Sequence, residues 1–142
     1  MTELSRRHFV TACCSATLTL MASSCASLAA RQVFSENGVI RLPLRNHPEL
    51  SSPGGSLKIR PDESSEVLYV MSVGNGEFSV LSPICTHRGC TVELAGERLV
   101  CPCHGSTYDR KGAVLRGPAE RALASVPTSV ESGDVLVIRW RR

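Results

Sequence analysis

The sequence predicts an all-β fold, a small antiparallel β-sandwich that carries one inserted, cysteine-rich segment. Three observations predict it. From residue 37 onward, short apolar runs are broken by Gly, Pro, Asn and Ser, the punctuation of strands and turns. Asn75-Gly76 falls between two such runs, and an Asn-Gly pair there favours the left-handed backbone of a tight hairpin. No stretch spaces its apolar residues helically over a useful length. The 142 residues leave room for one domain and a short appendage. Aromatic residues are only 4% of the chain, so the core is expected to be Val, Leu, Ile and Ala.

The appendage comes first. Ser5-Arg6-Arg7-His8-Phe9-Val10 opens the chain, and residues 11–30 carry no charge. Paired arginines ahead of a moderately apolar stretch resemble a twin-arginine export signal; an ordinary basic start to a membrane helix is the plainer alternative. Residues 1–30 are therefore expected to be a signal or anchor, and 31–142 the folded domain. The twin-arginine route exports folded proteins, which suits a cofactor inserted before export. The 22 residues of 9–30 can span a bilayer at ~1.5 Å per residue, although their many Ser and Thr make a poor span. Three outcomes stay open, all on the periplasmic side: an uncleaved helix, a lipid on Cys25, or plain cleavage near Leu28-Ala29-Ala30. Ala22-Ser23-Ser24-Cys25 resembles a lipoprotein cleavage box with Ala where Leu is usual. Cys13 and Cys14 are read as small apolar residues of the segment.

Strands are then expected at 39–44, 56–59, 67–73 and 78–81, with Ser51-Ser52-Pro53-Gly54-Gly55 as a surface loop. His47, beside Pro48, is expected at the surface. Residues 92–94 and 98–100 flank a second turn at Ala95-Gly96. Strands at 114–115, 123–126 and 135–140 complete the set. The tail Arg139-Trp140-Arg141-Arg142 reads as a solvated strand end, and the net charge of +3 gives no reason to expect nucleic acid as partner.

The remaining four of the seven cysteines fall within 19 residues. Cys85-Thr86-His87-Arg88-Gly89-Cys90 is followed, ten residues later, by Cys101-Pro102-Cys103-His104-Gly105-Ser106. Each half offers thiolates and an imidazole. Two such loops face to face supply two Cys and two His, with two Cys left over. A [2Fe–2S] cluster needs four terminal ligands. Replacing two thiolates with neutral imidazoles on one iron makes the site less negative and easier to reduce. Gly89 and Gly105 let the backbone turn close to the sulfides.

This pair of motifs resembles the Rieske signature of cytochrome bc and bf complexes. The resemblance extends through Tyr108 and Gly112 to Gly117-Pro118-Ala119 and, more loosely, from about residue 37 to the end. It implies a Rieske-type sandwich whose inserted cluster-binding part is about 84–120. It implies one [2Fe–2S] cluster, with Cys85 and Cys101 on one iron and His87 and His104 on the other, the imidazoles facing solvent. It implies a Cys90–Cys103 disulfide, consistent with an oxidising compartment. Ser106 and Tyr108 match positions that hydrogen-bond a cluster sulfur and a ligating cysteine sulfur. Such bonds favour the reduced state and push the potential toward the upper part of ~−150 to +300 mV. Gly117-Pro118-Ala119 matches a loop that shields the cluster. The sequence departs from the family in three ways. Only 13 residues separate His87 from Cys101, Glu120 replaces a second proline, and no Gly/Ala-rich hinge precedes the head.

Other chemistries fit less well. Structural zinc prefers Cys-x-x-Cys pairs, and a disulfide-stapled domain needs no histidines. Cys101-Pro102-Cys103-His104 lacks the two-residue spacing of haem attachment and of a thioredoxin-like pair. The resemblance implies a one-electron carrier. The first expectation is the iron–sulfur subunit of a quinol-oxidising cytochrome bc-type complex, respiratory or photosynthetic, with cytochrome b and a c-type cytochrome as partners. His87 or His104 would meet the quinol. The second is the relay subunit of an exported oxidoreductase such as an arsenite-oxidase-like molybdoenzyme. A ferredoxin or oxygenase Rieske domain normally lacks the extra cysteine pair and an export signal.

Overall fold

The computed structural model describes residues 29–140. The predicted signal or anchor lies outside the described residues, apart from Ala29 and Ala30, and so does the end of the tail. No helix among the described residues is long and apolar enough to cross a membrane. The described residues fold as three four-stranded sheets, with helical structure limited to two 3-10 turns at Leu44–Asn46 and Pro48–Leu50.

The strands, in chain order, are β1 (Arg31–Val33), β2 (Ser35–Glu36), β3 (Val39–Pro43), β4 (Ser56–Pro61), β5 (Leu68–Gly74) and β6 (Glu77–Leu81). Then follow β7 (Glu93–Ala95), β8 (Arg98–Val100), β9 (Thr107–Tyr108), β10 (Val114–Arg116), β11 (Thr128–Glu131) and β12 (Val135–Arg139). The first sheet has the order β1-β4-β5-β6 and the second β11-β12-β3-β2. The third, β10-β9-β8-β7, is the insertion between β6 and β11. All pairings are antiparallel except one: β1 lies parallel to β4, Arg31 opposite Ile59.

Side-chain alternation explains the layering. Residues on one face of a strand recur every second position. Ile40 and Leu42 of β3, with Leu136 and Ile138 of β12, pack against Leu57, Ile59, Leu68, Val70 and Val80 of the first sheet. Tyr69, Met71 and Leu81 point the other way, into a second core with Val92, Leu99, Cys101 and Tyr108. Strand β5 is therefore buried on both faces, and its run Leu68-Tyr69-Val70-Met71 is continuously apolar for that reason. It is the element on which the insertion is seated.

Turn chemistry sets the registers. Asn75 and Gly76 adopt φ of 53° and 72° between β5 and β6, as the hairpin reading expects. Asn37 and Gly38 repeat this at 51° and 75° between β2 and β3. The short gap between the cysteine motifs is spanned by the β7–β8 hairpin, which pairs Ala95 with Arg98.

Two expectations are corrected. Residues 123–126 do not form a strand. Ser125 makes one isolated bridge to Leu81, Leu123 plugs the second core, and Pro127, which has no N–H, follows. The strand comes later, as β11. His47 is not a surface residue: its side chain is only 12% exposed and lies 3.5 Å from the Glu49 carboxylate between the two 3-10 turns.

Candidate metal centre

The two cysteine motifs fold into loops of the same construction. The Cys85 N–H donates to the Cys90 carbonyl at 2.8 Å, and the Gly89 N–H returns to the Cys85 carbonyl at 2.8 Å. In the second loop the Cys101 N–H donates to Ser106 at 2.8 Å and the Gly105 N–H to Cys101 at 3.0 Å. The fifth residue of each loop has the same left-handed backbone, φ 77° at Gly89 and 75° at Gly105. Most residues with a Cβ, Asn and Asp aside, would be strained there by about 1–2 kcal/mol.

Cys90 and Cys103, one from each loop, form a disulfide with an S–S distance of 2.02 Å. Cys101 Sγ lies within 4.8 Å of both its sulfurs, but a disulfide leaves no thiolate to bind metal. Cys85 and Cys101 are free, and both are buried as part of the second core. His87 and His104 meet edge to face with ring centroids 4.8 Å apart. His104 is exposed and His87 half-buried. The buried Nδ1 of His87 has no hydrogen-bond partner among the described residues, an arrangement a buried polar atom does not ordinarily tolerate.

The surroundings hold this set in place. The Tyr108 hydroxyl, fully buried, lies 3.2 Å from Cys85 Sγ and accepts the Thr86 N–H at 3.3 Å. Thr86 Oγ1 donates to the Arg121 carbonyl at 2.6 Å. The Ala119 N–H donates to Ser106 Oγ at 3.0 Å, also fully buried. Those bonds tie both loops to the segment that contains Gly117-Pro118-Ala119. Burial pushes the Cys85 thiol up, but the hydrogen bond with Tyr108, then those with the His87 backbone, Cys101 and the Arg88 backbone, outweigh it and bring it below its ordinary value. Burial first, and then the bond to Cys85, raise Tyr108 above its own. The Thr86–Arg121 link had no signal in the sequence, because a threonine beside a cysteine does not reveal which carbonyl it will reach.

The residues fit a two-iron, two-sulfide group with mixed ligation. Cys85 and Cys101 are free and buried, the Cys85 thiol is held below its ordinary value, His87 and His104 meet edge to face, and Nδ1 of His87 has no hydrogen-bond partner among the described residues.

Comparison with known proteins agrees. The Rieske [2Fe-2S] domain family model matches residues 42–127. The cytochrome b6-f complex iron-sulfur subunit of Prochlorococcus marinus (strain MIT 9301) is 47% identical over 76 residues, covering 51% of this chain and 42% of that protein. The chloroplastic subunit of the same name from Oryza sativa subsp. japonica is 45% identical over 62 residues, covering 42% of this chain and 28% of that one. The match thus spans less than half the length of these curated relatives. Among solved structures, the plasma membrane Rieske protein from Synechocystis PCC 6803 has a TM-score of 0.50 at 38% identity, covering 58% of this chain and 85% of that chain. A quaternary ammonium Rieske monooxygenase, at 15% identity and a TM-score of 0.53 over 63% of this chain and 29% of its own, shares the fold alone. With its two cysteine–histidine loops inside a family match that covers more than half the chain, this protein belongs to the Rieske [2Fe-2S] domain family.

Proposed function

We propose that this chain is the iron–sulfur subunit of a quinol-oxidising cytochrome bc-type complex, with Cys85 and Cys101 binding one iron and His87 and His104 the other. When bound, the cluster supplies a one-electron store. The observation that carries the reading is the polarity of the donor set: thiols in the core, an imidazole in solvent. The buried thiols keep water from the inner side. His104, exposed at the tip, is open to a hydrogen bond from a quinol hydroxyl or to contact with a cytochrome. The half-buried His87 is less accessible, so His104 is the better candidate for that contact. Tyr108 and Ser106 serve as hydrogen-bond donors that favour the reduced state. The Cys90–Cys103 disulfide keeps the two loops together.

The relatives named above are subunits of the cytochrome b6-f complex, which favours cytochrome b and c-type partners over a molybdoenzyme. Residues 1–30 would take the domain through the twin-arginine route to the periplasmic face, with the helix, the lipid on Cys25 and cleavage still alternatives.

The test is an EPR-monitored redox titration of the cluster-loaded chain at several pH values. A Rieske signal at high potential that falls as pH rises is expected. A low potential indifferent to pH would overturn the quinol reading and leave a relay. His104→Ala should abolish the signal; an intact [2Fe–2S] spectrum in that variant would overturn the ligand assignment.

A further inference from the structure

Three atoms converge on the Tyr108 hydroxyl. Cys85 Sγ and Thr86 Oγ1 each lie 3.2 Å from it, and the Thr86 N–H donates to it at 3.3 Å. Thr86 has one hydroxyl hydrogen, and a carbonyl oxygen can only accept. At 2.6 Å from the Arg121 carbonyl, that hydrogen is committed to Arg121. Tyr108 is therefore the donor in the contact between the two hydroxyls. A cysteine sulfur bound to iron has no hydrogen, so Tyr108 is the donor there as well. One phenolic hydrogen faces two acceptors at the same distance.

We infer that Thr86 is a positioning residue for this hydrogen: its hydroxyl draws Tyr108 partly away from Cys85 and so holds the cluster's potential below the value that an undivided tyrosine bond would give. The inference rests on the ligand assignment above. It adds a restraint to a network otherwise built to raise the potential, since a full bond to Cys85 Sγ favours the electron-rich reduced state.

Thr86→Val keeps the branched shape and the backbone N–H while removing the hydroxyl. It should raise the midpoint potential of the loaded full-length chain, and Thr86→Ser should leave it near the wild-type value. The valine variant also loses the Arg121 bond. The same substitution in a Tyr108→Phe background separates the two effects, because without the phenolic hydrogen it should shift nothing. Thr86→Ala serves as a second hydroxyl-free variant and should move the potential in the same direction. An unchanged or lowered potential with an intact Rieske EPR signal would overturn the inference, as would an equal shift in the Tyr108→Phe background. Loss of the cluster in both hydroxyl-free variants but not in the serine variant would overturn it too, leaving Thr86 as a structural tie to Arg121. The ligand assignment fails separately, if a Rieske signal survives Cys85→Ala.

Discussion

Ser106 and Tyr108 lie two residues apart at β9, and both are fully buried with hydroxyls against the metal centre's loops. Ser106 Oγ accepts from Ala119, which leaves its own hydrogen free to be donated. Ser106→Ala should therefore keep the cluster but lower its potential, read by redox titration; an unchanged potential would remove Ser106 from the tuning network. Tyr108 also gives a pH signature in the metal-free protein. Burial, and then Cys85, raise it above its ordinary 10.0. A group raised on folding contributes stability that is complete below its unfolded value and is lost as pH rises through the folded one. Stability of the metal-free protein should decline above about pH 10, and Tyr108→Phe should flatten that decline in urea midpoints taken from about pH 8 to 11. An identical decline in the variant would assign the alkaline loss to other groups. The roles of these two residues were legible only through the resemblance, for a buried hydroxyl near a cysteine has no local sequence mark.

Arg110 is the clearest example at the level of elements. Its side chain is 12% exposed; Nε donates to Glu97 at 2.7 Å, Nη2 to the Gly96 carbonyl at 3.3 Å and Nη1 to Gly55 at 3.4 Å. It therefore joins the β7–β8 turn to the loop before β4. Arg110→Ala should cost about 1–3 kcal/mol in urea unfolding, as charged hydrogen bonds do, while the Rieske EPR signal stays. Loss of the signal would show that the latch also shapes the metal centre. Elements differed in how openly the sequence announced them. Asn75-Gly76 named its hairpin, whereas the like turn at Asn37-Gly38 between β2 and β3 emerges only in the structure. Strand β11, Thr-Ser-Val-Glu, has one apolar residue and an exposed outer half; it is a strand because β12 supplies its hydrogen bonds. Residues 123–126 looked more like a strand than β11 does, yet Leu123 plugs the second core and Val126 packs on the first. Propensity yields to partners in such edge segments.

Across the whole molecule, the residues proposed as ligands were visible as a pattern of types and spacings, while their burial was not. That Cys85 and Cys101 lie in the core depends on Tyr69 and Met71 of β5 and on Leu99 of the β7–β8 hairpin, which pack with them. The Cys90–Cys103 bond closes a loop of 13 residues' separation, which constrains the unfolded chain by roughly 3 kcal/mol. Cys90→Ser with Cys103→Ser should therefore lower the urea midpoint and speed loss of the cluster, followed by its visible absorbance; equal lifetimes would make the bond dispensable. The two-faced burial of β5 has a thermal consequence. Leu68 and Val70 belong to one core, Tyr69 and Met71 to the other, so neither core can melt while the other keeps this strand. Calorimetry should record one transition rather than two, and stripping iron from one end of the molecule should lower the temperature at which the sandwich at the other end comes apart.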